Sequence, residues 1–268
     1  MPSLRPLIFV AALLAPAALA AQSAPLPTLT LNAAPIGRTA KVERVAGVPY
    51  FESASAMQAL PEHLRATLNV RGQTWKPAYP GERPPAYVAV FPVAALKSHY
   101  PAATEVAGQV DELVTIAKGG SFKVERQGVG VRGLPFLPTV NAAQVVAGSV
   151  ARVSSSDVQG LRYLTIHAQD LFRYSREDVT YTFQGVTRDG KYVVVMHMPY
   201  APASLPTAAQ VQQEEKRNGP YFPVQASEAQ WNQITERYLT ALTTKLDAEG
   251  RAGRLAPLDA VVKSIRVR

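Results

Sequence analysis

Four strand-length runs follow one another between Val145 and Tyr200: VVAGSVARV from Val145, GLRYLTIHAQ from Gly160, VTYTFQGVT from Val179 and KYVVVMHMP from Lys191. Each is rich in β-branched and aromatic residues, which suit a pleated, half-buried surface. Turn-forming residues separate them, so the stretch reads as a meander of antiparallel strands. Asp189-Gly190 between the last two runs predicts a two-residue hairpin, a turn whose two positions both take positive φ.

Alternation assigns the faces. Leu161, Tyr163, Thr165 and His167 share one side of the second run, and Arg162, Leu164 and Ile166 the other. In the third, Tyr181 and Phe183 oppose Thr180, Thr182 and Gln184. In the fourth, Val193, Val195 and His197 oppose Tyr192, Val194, Met196 and Met198. Neither side of the fourth run is purely polar, which predicts a sheet covered on both faces.

Upstream, Thr39–Val45, Glu62–Val70 and Ala86–Val93 read as further strands, the last ended by Pro92. Phe51–Leu60 has helix-compatible spacing. Pro101–Lys118 reads as a helix, with Thr104 as a cap for a later start and Val106, Val110, Leu113, Val114 and Ala117 as its apolar stripe. Ser121–Gly133 is polar and glycine-rich, a surface loop. The prolines of Leu134-Pro135-Phe136-Leu137-Pro138 favour an extended path with Leu134, Phe136 and Leu137 free to be buried. Downstream, Thr207–Asn218 reads as a solvated helix. Ser227 opens a long one with Gln230 completing a capping box, Trp231, Ile234, Tyr238, Leu242 and Leu246 as its stripe, and Gly250 as its end. Pro257 starts a last helix with Leu258, Val261, Val262 and Ile265 facing inward.

The N-terminus has the layout of a secretory signal: Arg5, an apolar core over Leu7–Leu14 too short to span a bilayer, and the small-x-small site Ala18-Leu19-Ala20. Three parts follow: a signal peptide over 1–20 cleaved near Ala20, a Pro/Ala-rich tether over 21–37, and one α+β domain over 38–268. The expected setting is exported, periplasmic or extracellular. The chain has no cysteine, which excludes disulfides, a lipidated cysteine, thiol catalysis and iron–sulfur clusters. No second apolar run is long enough to span a membrane.

Three stretches together, LPFLPTVNAAQV from Leu134, the Gly160–Pro199 run with its YTFQG and DGKYVVV, and LDAVVKSIRV from Leu258, resemble a family of uncharacterised exported bacterial proteins from about Glu62 onward. That family carries no assigned activity, substrate or catalytic residue. The strand pair followed by a long helix and a closing helix is also similar to the end of Mog1/PsbP-like domains. That resemblance implies an α-β-α sandwich around an antiparallel sheet and a binding or assembly role rather than catalysis.

Catalytic signatures are missing. The sequence has no G-x-S-x-G elbow, no H-E-x-x-H, no P-loop and no Rossmann fingerprint. No catalytic residue and no cofactor is assigned. His167 and His197 sit near strand ends with Asp170 close in sequence, a combination that suits zinc or copper ligation or a general base if the side chains converge. The connection Gln169–Asp178 brings Asp170, Phe172, Arg173, Tyr174 and Arg176 to one loop, the best candidate rim for a ligand or partner. A formal charge of +8 favours anionic partners. Arg and Lys are dispersed, however, and no aromatic-basic RNA motif occurs, so nucleic acid is not expected.

The expected fold is a mainly antiparallel sheet of about six strands covered by three or more helices. The expected function is an exported, non-catalytic binding or assembly module of the bacterial envelope, acting on an unknown envelope protein or small ligand. The alternatives are a metal-dependent or hydrolytic enzyme using His167, His197 and Asp170, and a binder of anionic envelope polymer or lipid headgroups through peripheral contact.

Overall fold

A computed structural model describes residues 26–50, 59–78, 82–101, 104–128, 130–222 and 225–268. In chain order its elements are β1 (Leu29–Thr30), β2 (Arg38–Val45), β3 (His63–Val70), β4 (Tyr87–Pro92), α1 (Val93–Ser98), α2 (Val106–Ala117), β5 (Glu125–Gln127), β6 (Gly130–Arg132), β7 (Ala143–Ser154) and β8 (Val158–Ala168). Then come β9 (Thr180–Thr187), β10 (Tyr192–Pro199), α3 (Ala208–Asn218), α4 (Glu228–Arg251), α5 (Ala256–Ser264) and β11 (Arg266–Val267). The expected signal peptide and residues 51–58 of the helix-compatible stretch lie outside the described residues.

β7 to β10 are the meander, each paired antiparallel with the next. β2, β3 and β4 form a second meander, and β4 joins β10. The result is one seven-stranded antiparallel sheet ordered β2-β3-β4-β10-β9-β8-β7, one strand more than expected. The face assignments hold. Leu164, Ile166, Tyr181, Phe183, Val194 and Met196 pack with Leu239, Leu242 and Leu246 of α4 and Val261 and Val262 of α5. On the other face Phe91, Val193 and Val195 meet Leu96 of α1 and Val110 and Leu113 of α2, while Leu161 and Tyr163 meet Ile116.

Several local expectations are corrected. The Asp189-Gly190 hairpin is not a two-residue turn: four residues connect β9 to β10, and only Gly190 takes positive φ (73°). Asp189 Oδ1 accepts from Thr187 Oγ1 (2.6 Å) and Lys191 N (3.1 Å), which holds Asp189 in the ordinary region. The helix predicted from Pro101 starts at Val106, because the Thr104 hydroxyl donates back to the Pro101 carbonyl (2.8 Å) and closes a turn instead of capping. Ile116 takes the buried place expected of Val114. The short helix α1, directly after Pro92, was not anticipated, and the loop over Ser121–Gly133 contains the small β5–β6 hairpin. The described part of the expected tether is built into the fold: Leu29 and Ala33 are buried, and β1 pairs with β11.

Helix α4 runs through Gly250 to Arg251; Leu242 and Leu246 are buried as expected, but Thr235, Leu239 and Glu249 complete the buried stripe while Trp231, Ile234 and Tyr238 are half-buried. The cause lies on β7. Ser149 sits at a break in register with φ 56°. Its N–H donates to Asp247 Oδ1 (2.6 Å), its hydroxyl donates to the Leu246 carbonyl (2.5 Å) and accepts from Gly250 N (2.9 Å). A Cβ at Gly250 would lie 2.6 Å from the Ser149 oxygen, so glycine is needed there for approach, not for termination. Arg162 reaches in from β8 to the Ser149 carbonyl and lies 3.4 Å from Asp259 of α5. Ser149→Ala removes the hydroxyl's bonds to the Leu246 carbonyl and the Gly250 N–H and is expected to cost about 1–3 kcal/mol. Urea unfolding midpoints measure it, and an unchanged midpoint would show that the staple carries no energy.

Candidate functional site

The segment after β6 is laid across the α2 side of the sheet and clamped there by four side chains. Prolines 135 and 138 keep it extended. Tyr163 of β8 donates to the Pro135 carbonyl (2.9 Å). Gln184 of β9 treats Leu137 as a neighbouring strand would: its Oε1 accepts from Leu137 N (3.1 Å) and its Nε2 donates to Leu137 O (2.8 Å). His197 of β10 donates from Nε2 to the same carbonyl (3.1 Å), which leaves Nδ1 to accept from Thr182 Oγ1 (3.5 Å). From α2, Gln109 Oε1 accepts from Phe136 N (3.3 Å). Leu134 and Leu137 are buried as expected, and Phe136 is half-buried.

The clamp presses Phe136 against both histidines, with ring centroids 4.0 Å from His167 and 4.8 Å from His197. Burial pushes the His167 imidazole down to about 4. Burial pushes His197 further, to about 3, although its bond to Leu137 opposes the shift. Both rings are therefore neutral near pH 7. Their situations differ otherwise. His197 has both nitrogens engaged, whereas among the described residues neither nitrogen of His167 has a hydrogen-bond partner.

His167 instead faces a cleft of about 350 Å³. Glu105, Gln109 and Glu112 line it from the α2 side, and Arg132, Leu134 and Phe136 from the clamped segment. Gln144 and His167, paired in the β7–β8 register, line it from the sheet. Gln144 donates to Thr165 Oγ1 (3.0 Å), and among the described residues its side-chain carbonyl has no partner. The cleft thus offers a neutral imidazole, an amide oxygen, an aromatic ring and charges of both signs.

The expected trio does not assemble as a ligand set. His167 and His197 meet the same ring, but ligation by His197 requires it to surrender a bond at one nitrogen or the other. Asp170 is exposed, its main-chain carbonyl accepting from the Tyr174 hydroxyl (3.0 Å). Among the described residues no group of three or more His, Asp or Glu is placed to hold a metal ion.

The candidate rim has mixed roles. Tyr174 is buried and stacks on Tyr238, whose hydroxyl accepts from Tyr174 N (2.6 Å). Arg173 pairs with Glu214 of α3 and lies over the Tyr221 ring (5.8 Å), and Arg176 pairs with Glu177 (3.2 Å). Phe172 is 46% exposed, an aromatic rim member open to a partner.

Sequence reasoning missed Gln184, Gln144, Gln109 and Phe136. One signal was available. Gln184 alternates with Thr180 and Thr182 in a strand expected to be covered on both faces, and an amide buried there needs main-chain partners. No family model, no curated protein and no solved structure matches this chain.

Proposed function

We propose that this chain is an exported, non-catalytic binding module of the bacterial envelope whose ligand occupies the cleft lined by His167. The observation that carries the reading is the unpartnered, neutral imidazole lining a cleft beside a segment clamped to the sheet by Tyr163, Gln184 and His197. Polar groups held without a partner on a rigid support are prepaid for a ligand. Carboxylates on the α2 side and Arg132 line the same cleft, and a small zwitterion such as an amino acid or dipeptide matches both charges while laying its apolar part against Phe136 and Leu134. An imidazole pushed down to about 4 is a weak proton acceptor at neutral pH, which favours holding a ligand over general-base chemistry.

Thermal unfolding against amino acids, dipeptides, sugars, lipid headgroups, polyanions and divalent metals tests the reading. A ligand at about a hundred times its Kd adds about 2.7 kcal/mol, a rise of about 5–10 °C for a chain of this size. The expected result is a shift with a zwitterion that His167→Ala removes without lowering the unliganded midpoint by more than a few degrees. A shift untouched by His167→Ala, or a shift with polyanions alone that fades with salt, would overturn it.

A further inference from the structure

The two edges of the sheet are unlike. β7 is broken by register shifts between Gln144 and Val146 and between Gly148 and Ala151, and such bulges blunt an edge against pairing. β2 is regular from Arg38 opposite Val70 to Val45 opposite His63. Among the described residues no strand pairs with its outer side.

The groups on that outer side follow from β3. Leu68 N–H donates to the Ala86 carbonyl on the β4 side (3.0 Å). Even-numbered residues of β3 therefore point their main-chain groups toward β4, and odd-numbered ones toward β2. Ala40, Val42 and Arg44 lie opposite Leu68, Ala66 and Leu64. Their N–H and C=O groups consequently point outward, and Val42 is 42% exposed.

Edge strands are normally protected by charge, but the charges of β2 are arranged to attract a copy of themselves. Lys41 Nζ lies 3.8 Å from Glu43 Oε2, on either side of Val42 in sequence and on one face of the strand. We propose that two copies of this chain pair antiparallel through β2, with Val42 on the two-fold axis. Val42 then exchanges both main-chain hydrogen bonds with Val42 of the second copy, and Ala40 does so with Arg44, twice. The same register sets Lys41 against Glu43 of the other copy, twice, in the closer, non-hydrogen-bonded pairs. The neighbouring registers, with Lys41 or Glu43 on the axis, set like charges against each other, so charge selects one alignment. The contact is isologous and closes at two copies.

Sedimentation equilibrium of the chain and its variants tests this. The expected result is a reversible monomer–dimer equilibrium with a Kd of about 100 μM or tighter, as suits a small interface. Lys41→Glu and Glu43→Lys each create two like-charge pairs and are expected to weaken the dimer about tenfold or more. An equimolar mixture of the two variants is expected to recover association, because the new carboxylate faces the new amine while the native Glu43 and Lys41 still face each other. Val42→Pro removes an outward N–H that no bond among the described residues uses, and edge strands accept proline. It is expected to be folded by circular dichroism and monomeric. A wild-type chain that stays monomeric up to about 1 mM, the weak end of the affinity scale, would sink the proposal. So would a mixture no more associated than either variant alone.

Discussion

Acidification from pH 7 to pH 4.5 is expected to remove most of the stability of this fold. Three histidines are held neutral, His63 and His197 buried and His167 half-buried at the cleft. His63 packs on Phe91 with its ring bonded to the Pro61 carbonyl (2.9 Å), and burial pushes it down to about 4. His167 is pushed to about 4 and His197 to about 3, burial again being the first cause. In the unfolded chain each titrates near 6.5. Above that pH neither state is protonated and the histidines cost nothing. Below it the unfolded state takes up protons that the folded state refuses until about 4, so stability falls with pH. Each pH unit is worth about 1.4 kcal/mol per histidine, so the fall to pH 4.5 costs about 3 kcal/mol for each of the three. Set against the typical 5–15 kcal/mol of a domain, that brings the chain close to unfolding. The carboxylates with a shift, among them Asp157 and Asp189, are held below their ordinary values by hydrogen bonds, so they add to the fall in the same direction, mostly below the end of this window. Urea unfolding at half-unit steps from pH 7 measures the slope. A midpoint that stays level down to pH 5 would show that these imidazoles are not held neutral. His63→Gln, far from the cleft, is expected to remove about a third of the slope.

Gly160→Ala and Gly185→Ala are expected to be the most damaging single-atom-scale changes in the sheet. The two glycines lie directly opposite each other in the β8–β9 register. A Cβ at Gly160 would strike the Gln184 carbonyl oxygen and the Gly185 Cα. A Cβ at Gly185 would strike the Gln159 carbonyl and come 2.6 Å from Cζ of Phe183, whose ring lies over the glycine. The obstacles are backbone atoms of a central ladder, which cannot swing aside as a side-chain end can. Overpacking of this kind costs about 3 kcal/mol or more, a fall in Tm of about 6–12 °C. Gly108→Ala in α2 is the contrast: an exposed helical site with nothing within 4 Å, expected to gain about 0.5–1 kcal/mol. If the three variants melted together, close approach of the backbones at Gly160 and Gly185 would not be what requires glycine there.

What was legible in the amino-acid sequence was whatever neighbouring residues decide. The alternation of Tyr163 with Leu164 and of Val195 with Met196 placed the core side chains of β8, β9 and β10 on their observed faces, because a strand has a period of two and both faces needed apolar cover. Ser227 with Gln230 marked the start of α4, and both halves of that capping box are formed, because a cap involves only residues three apart. Arginine, lysine and histidine positions were equally visible, but not their company. Tertiary structure alone decided that β4 lies beside β10, that Gly250 is a contact for Ser149 and not the end of a helix, and that the buried stripe of α4 is set by β7. It alone brought Phe136 onto two imidazoles and left one of them without a partner. His197 and Leu137 are 60 positions apart in the chain, Ser149 and Gly250 are 101 apart, and no local preference encodes such a pairing. It follows from which strand edges meet and from how long each connection is, and those depend on burying two faces of one sheet at once.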